Sequence, residues 1–221
     1  IVLANGARQS RPVNVDGNFT LFGNINAGFP IKKLKSRIDV GMGYSFFRTN
    51  GVLNTQNNRI DNQGFTPNIN YSFALDSIVD IMLTARVSKN LVSYQLQPQL
   101  NNTYYQQTYG IETTNYLPAG FVMTNSYSLT LNTGRADGFN APISLWNISL
   151  AKSFLKYKRG ELKFSALDVL NQNQGINRTA NQNFIQDTRY NVLQRYFLLS
   201  FSYRLHKANG SGGARVVIRN F

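Results

Sequence analysis

The segment Gln194-Arg-Tyr-Phe-Leu-Leu-Ser-Phe-Ser-Tyr-Arg-Leu205 alternates in polarity along its length. Phe197, Leu199, Phe201, Tyr203 and Leu205 fall on one face, and Tyr196, Leu198, Ser200, Ser202 and Arg204 on the other. Successive side chains of a strand point to opposite sides, so the pattern predicts a strand with an apolar stripe and a more polar one. Such a strand suits a position between lipid and water.

The same period recurs from Asp16 to Leu205, and helical periodicity never persists beyond a turn or two. Strands are predicted at about 16–29, 36–49, 63–75, 79–97, 103–116, 121–133, 142–155, from Gly160 onward, and at 194–205. The first points Phe19, Leu21, Ile25, Ala27 and Phe29 one way and ends at Pro30; the second points Ile38, Val40, Met42, Tyr44 and Phe46. Pro67 removes a ladder donor from the third strand and predicts a local bulge. The eighth loses its alternation at Leu167-Asp-Val-Leu-Asn171. Connections near 31–36, 76–78, 117–120 and 156–160 are short, whereas polar stretches at 50–62, 134–141 and 172–187 read as longer loops; the turn at 98–102 breaks this alternation.

No apolar run reaches the roughly 20 residues that a spanning helix needs. The expected fold is therefore an all-β, antiparallel up-and-down transmembrane barrel, with nine to ten strands present. A soluble β-sandwich is the rival, but it would have to bury all the outward faces between just two sheets. Short turns face the periplasm in such barrels and longer loops the exterior, which puts the C-terminus in the periplasm. The formal net charge of +13 concentrates in the short turns, at Lys32, Lys33, Lys35 and Arg37, at Lys156, Lys158 and Arg159, and near Arg204 and Lys207. That is a rim facing anionic lipid headgroups, and outer-membrane lipids rather than nucleic acid are the expected partner.

Catalytic chemistry has little to build on, so no catalytic, cofactor or metal residues are assigned and the ligand-binding residues stay unspecified. His206 is the sole histidine, there is no cysteine, and the inward acids Asp39, Asp80 and Glu112 are scattered over different strands. With Arg86 they read as lumen polarity, with ligand or plug contact as the alternative. Phe29, Phe73, Phe154 and Tyr203 fall toward the periplasmic ends of outward faces, and Phe19, Tyr44, Phe46 and Phe65 toward the exterior ends, as two interfacial girdles. Tyr104 and Tyr105, beside a tip, are girdle residues or stack on a sugar or aromatic ligand.

In Leu167-Asp-Val-Leu-Asn-Gln172, the Asn-rich stretch after it and the closing strand 194–205, the chain resembles the C-terminal end of TonB-dependent receptors. More narrowly it is similar to the outer membrane protein β-barrel family common in Bacteroidota. The resemblance implies a 22-stranded barrel of which this chain supplies the last nine or ten strands. It also implies an N-terminal plug, and a TonB box through which the energised TonB complex drives nutrient import. Residues 1–205 are expected to be barrel segment and 206–221 a periplasmic tail, native or artificial. Ile1-Val-Leu-Ala is expected to be the upper end of a preceding strand, with Asn5 to Asn14 as an exterior loop. Arg195 to Leu205 would then pair with a strand outside this chain. A complete small barrel with a structural or adhesin role is the alternative; a surface lipoprotein or a larger envelope assembly is a further candidate partner.

Overall fold

A computed structural model describes residues 14–53, 55–180 and 185–205. His206, the Gly-rich tail, Ile1-Val-Leu-Ala and most of the expected loop 5–14 lie outside the described residues. The chain runs β1 (Phe19–Ile31), β2 (Ser36–Leu53), β3 (Gln56–Leu75), β4 (Val79–Tyr94), β5 (Asn102–Leu117), β6 (Phe121–Thr133), β7 (Ile143–Phe154), β8 (Gly160–Leu167), β9 (Gly175–Ala180), β10 (Ile185–Tyr190) and β11 (Tyr196–Tyr203). Nine of these form one antiparallel meander in the order β1-β2-β3-β4-β5-β6-β7-β8-β11, while β9 and β10 make a separate hairpin. Among the described residues the meander is open, with β1 and β11 each paired on one side only.

Register turns the alternation into two continuous surfaces. One row runs Phe29–Ile38–Tyr71–Leu83–Ile111–Tyr127–Trp146 across seven strands. Three pairs nearer the N-terminus of β1, on the opposite face, a second row runs Asn26–Gly41–Asn68–Arg86–Thr108–Thr130 across six strands. The apolar surface stays uncovered: Ile25 is 78% exposed and Leu199 66%, far from the burial that a soluble core would require. The predicted stripe of the closing strand is exposed throughout, from Phe197 to Leu205. A sheet of this kind finds its apolar solvent outside the protein, and a 12- or 13-residue strand such as β7 or β6 is long enough to cross a bilayer.

Both borders of the apolar band are marked by side chains. At one, outward-facing Arg48 binds its cross-strand partner Asp61 bidentately, Nε to Oδ1 at 2.8 Å and Nη2 to Oδ2 at 3.0 Å, and its guanidinium covers the Phe46 ring. The aromatic contacts Phe19–Phe46 and Tyr44–Phe65, at 5.9 and 5.0 Å between centroids, sit just inside it. At the other, Lys152 leaves the outward face of β7, crosses the Phe121 ring and donates to the Ala119 carbonyl in the next turn. A long apolar stem with its ammonium brought to the border is how lysine tolerates such a position. Phe154 and Phe201 lie at the same end, 6.1 Å apart.

The short turns gather at this second end. Lys35 pairs with Asp76 at 2.7 Å between neighbouring turns, and Arg204 donates its backbone N–H to the Arg159 carbonyl. The basic residues of the turns therefore share one rim, as their positions in the chain require.

Four expectations need correction. The stretch 50–62 is not a loop: β2 and β3 pair from Leu53–Gln56 downward, so the hairpin stands well beyond the Arg48–Asp61 border. Polar residues on both faces obscured it. Pro67 interrupts pairing with β4 without forming a bulge, because Phe65–Lys89 and Asn68–Arg86 stay in one register with two residues between them on each strand. Pro30 lies inside β1, paired with Arg37, rather than ending it. The expected loop 172–187 contains most of the β9–β10 hairpin. Smaller differences are at strand ends, such as β4 stopping at Tyr94 rather than 97.

Candidate functional site

The long connections meet at the end opposite the basic rim. There the inner faces of the extended β3 and β4 carry Ile60, Val92 and Tyr94, each at most 4% exposed, with Leu100 and Tyr104 packed on them. This cluster is the small hydrophobic core of the described residues, and it lies where the sheet has risen past its apolar band. Asn58 supports it by accepting the Leu96 N–H at 3.2 Å.

Tyr104 links that core to the remaining connections. Its ring lies 5.6 Å from the Arg135 guanidinium and 5.0 Å from that of Arg178. Arg178, on β9, binds both oxygens of Asp187 on β10, at 2.7 Å from Nε and 2.5 Å from Nη2, and donates from Nη1 to the Gly134 carbonyl at 2.8 Å. Asp187 also accepts the Ala136 N–H at 3.0 Å, and Arg189 reaches the Gly138 carbonyl at 2.7 Å. The β6–β7 connection is thus lashed to the hairpin by charge-assisted bonds. Arg178 beside Asp187 holds its carboxyl below the usual carboxylate range, with the Ala136 N–H adding to the effect and burial opposing it. Burial, aided by neighbouring Arg178, lowers the Arg135 guanidinium from its ordinary value.

A groove of about 550 Å³ lies beside the hairpin, lined by residues 173–174 and 189–194. Its walls are set by the turn where alternation fails after β8. Asp168, 5% exposed, accepts the N–H groups of Gln172 and Asn173 at 2.9 and 3.1 Å. Asp168 and Asn171 adopt positive φ angles of 49° and 56°, which Asp and Asn accept more readily than most residues. Asn171 Oδ1 takes the Arg195 N–H at 3.1 Å, and Asn173 Nδ2 reaches the Leu193 carbonyl at 3.0 Å, so both walls are tied to one turn.

The residues singled out from sequence are placed differently. Asp39 is occupied by Arg37, Nη2 to Oδ1 at 2.7 Å, over the bare backbone of Gly28, where a Cβ would come within 1.9 Å of the guanidinium. Asp80 accepts the Tyr116 hydroxyl at 2.8 Å. Asp80 and Glu112 are on neighbouring strands facing inward, but Asp39 lies two strands from Asp80, so the three acids form no common site. The Tyr104 ring lies against two guanidinium groups, those of Arg135 and Arg178. Tyr105 shares the outward row of Phe65 and Lys89. Arg135, Arg178, Asp187 and the groove residues escaped the sequence reading, since their association depends on contacts across up to 51 residues.

An antiparallel meander with an uncovered apolar face, a polar opposite face and aromatic borders is the wall of a transmembrane β-barrel. The chain belongs to the outer membrane protein beta-barrel family, whose profile matches residues 68–203. Comparison with curated proteins and with solved structures gives no match. Family and fold agree, and together they locate the chain in the outer membrane.

Proposed function

We propose that this chain forms the C-terminal part of the barrel wall of a TonB-dependent transporter that imports a nutrient ligand across the outer membrane. The observation that carries the reading is the pair of free edges. Among the described residues β1 and β11 each present an unpaired backbone flank beside lipid-facing side chains, and a membrane barrel leaves no such edge open. Further strands, up to the 22 of the receptors it resembles, would close the wall between β11 and β1.

In this reading the long connections face the cell exterior and capture the ligand, and the basic rim and the C-terminus face the periplasm. Rows such as Asn26–Gly41–Asn68–Arg86–Thr108 supply a hydrated lining for the lumen. A plug N-terminal to this segment would fill that lumen and rearrange under force from the TonB complex. The test is made on the intact gene product: its plug-bearing form should bind the purified periplasmic domain of TonB, and lose that binding when its N-terminal segment is deleted. An intact product that spans the membrane as a small closed barrel without TonB binding would overturn the proposal.

A further inference from the structure

We infer that the corner formed by the β7–β8 turn and the end of β11 binds an anionic phospholipid, with its phosphate on Lys156 and Lys158 and its acyl chains on the apolar row beside them. Phe154, Gly160 and Tyr203 pair across β7, β8 and β11 as the last outward-facing positions of these strands. Gly160 has no side chain, and a Cβ there would lie 3.0 Å from both a Phe154 and a Leu155 carbon, so these two side chains cross its bare backbone. With Phe201, whose ring is 6.1 Å from that of Phe154, they form a ledge continuous with the lipid-facing surface. Leu155 is 56% exposed and Phe201 54%.

Cations follow just past that ledge. Lys156, Lys158 and Arg159 come from the turn, and Arg204 follows Tyr203 with its N–H on the Arg159 carbonyl at 2.8 Å. None of the four has an ion-pair partner among the described residues. Glu161, the nearest acid in sequence, stands on the inward face of β8 opposite Ser153 and Ser202. The other short turns differ. Lys35 is paired with Asp76 and Arg37 with Asp39, leaving Lys32 and Lys33, and the turn at Pro118–Gly120 carries no charge. The β7–β8 corner therefore holds the densest uncompensated charge of the rim, at the depth where headgroup phosphates lie.

Tyr157 joins charge to ledge. Its ring lies 5.3 Å from the Lys156 ammonium and 5.7 Å from the Arg159 guanidinium, an amphipathic anchor of the kind found at membrane interfaces. The Arg159 Nε is enclosed, so exposed Lys156 and Lys158 are the groups offered to the phosphate. A free phosphate would engage the cations and leave the ledge idle, whereas a phospholipid covers both.

Binding is read by native mass spectrometry of the intact protein in detergent. Phosphatidylglycerol and cardiolipin are the anionic probes, phosphatidylethanolamine the zwitterionic comparison and inorganic phosphate the soluble one. At least one anionic lipid should bind in preference to phosphatidylethanolamine, and the double variant Lys156→Gln, Lys158→Gln should weaken it about tenfold or more, the effect of two cations at headgroup depth. Leu155→Gln should weaken it with both lysines in place. Lys32→Gln with Lys33→Gln removes the same charge elsewhere on the rim and should leave it unchanged. Variants are compared only where they keep the heat-modifiable migration of a folded barrel. Equal binding of anionic and zwitterionic lipid, equal losses from the two double variants, indifference to Leu155→Gln, or binding of inorganic phosphate alone overturns the site and leaves the transporter reading standing. Only the leaflet rests on that reading, which turns this corner to the periplasm. A membrane-impermeant maleimide should therefore label Lys158→Cys, above the parent protein's background, after lysis and not on whole cells. Labelling on whole cells overturns the periplasmic placement and with it the proposed function, whatever the lipid binding in detergent.

Discussion

Arg178 and Asp187 face each other across the β9–β10 hairpin as a bidentate ion pair whose side chains are 4% and 3% exposed. Arg135 stands 3.9 Å from the same carboxylate, so one acid serves two buried cations. The hairpin owes its place to this arrangement, because its other bonds to the β6–β7 connection run mostly through arginine side chains and loop carbonyls.

Asp187→Asn is therefore expected to release the hairpin without unfolding the sheet. Removing the charge strands two guanidinium groups, a loss of roughly 1–3 kcal/mol or more for buried donors deprived of partners. Limited proteolysis should cut faster within 134–142 and 175–190, while the barrel bands on unheated gels remain. Equal protection in variant and parent would show that the pair does not hold the hairpin.

The same pair fixes a pH dependence. The Asp187 carboxyl has a lowered pKa in the folded state, chiefly through Arg178. Its contribution to docking is thus fully present above the unfolded value of about 3.9 and is lost as pH falls through the lowered folded value. Protection of the hairpin amides, taken relative to their intrinsic exchange rate at each pH, should be kept at pH 5 and lost only in more acid solution, and the transition should vanish in Asp187→Asn. Loss of protection already between pH 7 and 5 would contradict the assignment.

How far this could be read in the sequence depended on what each face touches. Where one side met lipid and the other water, as in Ile38 to Phe46 or Phe197 to Leu205, alternation was enforced and strand faces were legible. Above the Arg48–Asp61 border neither face meets lipid, so nothing enforces alternation, and Asn50 to Leu53 with Gln56 to Ile60 read as part of a polar loop. The hairpin within 172–187 was hidden for a different reason: its stability lies in Arg135, Arg178 and Asp187, which no local period connects. Asp168 was visible only as a break in alternation, and its role as acceptor for two N–H groups needed the folded turn.

Asp168 offers a test of whether that turn shapes the groove. Asp168→Ala deprives the Gln172 and Asn173 N–H groups of their acceptor, a loss of about 1–3 kcal/mol if they remain buried. The expected result is faster exchange at residues 172–174 and 193–195 with little change at β4 to β6. Asp168→Asn, which keeps one acceptor oxygen, should recover part of the protection.

The decisive question for the fold is which side of the sheet meets lipid, and adjacent residues on one strand answer it. Ile69 on β3 faces outward between Val40 and Ala85, whereas Asn70 faces inward between Asp39 and Thr84. An arginine near the middle of the lipid-facing band costs about 2–4 kcal/mol, while the same residue on a hydrated lumen wall costs little. Ile69→Arg should reduce the yield of folded, membrane-integrated protein and lower its unfolding midpoint in urea. Asn70→Arg should leave both near the parent values, since the side chain enters a polar wall beside Asp39, a nearby carboxylate. If the two effects were reversed, the inward and outward faces assigned here would be exchanged, and the polar rows could no longer line the lumen. Equal, small effects would mean that neither face meets lipid, which the 46% exposure of Ile69 in an apolar row argues against.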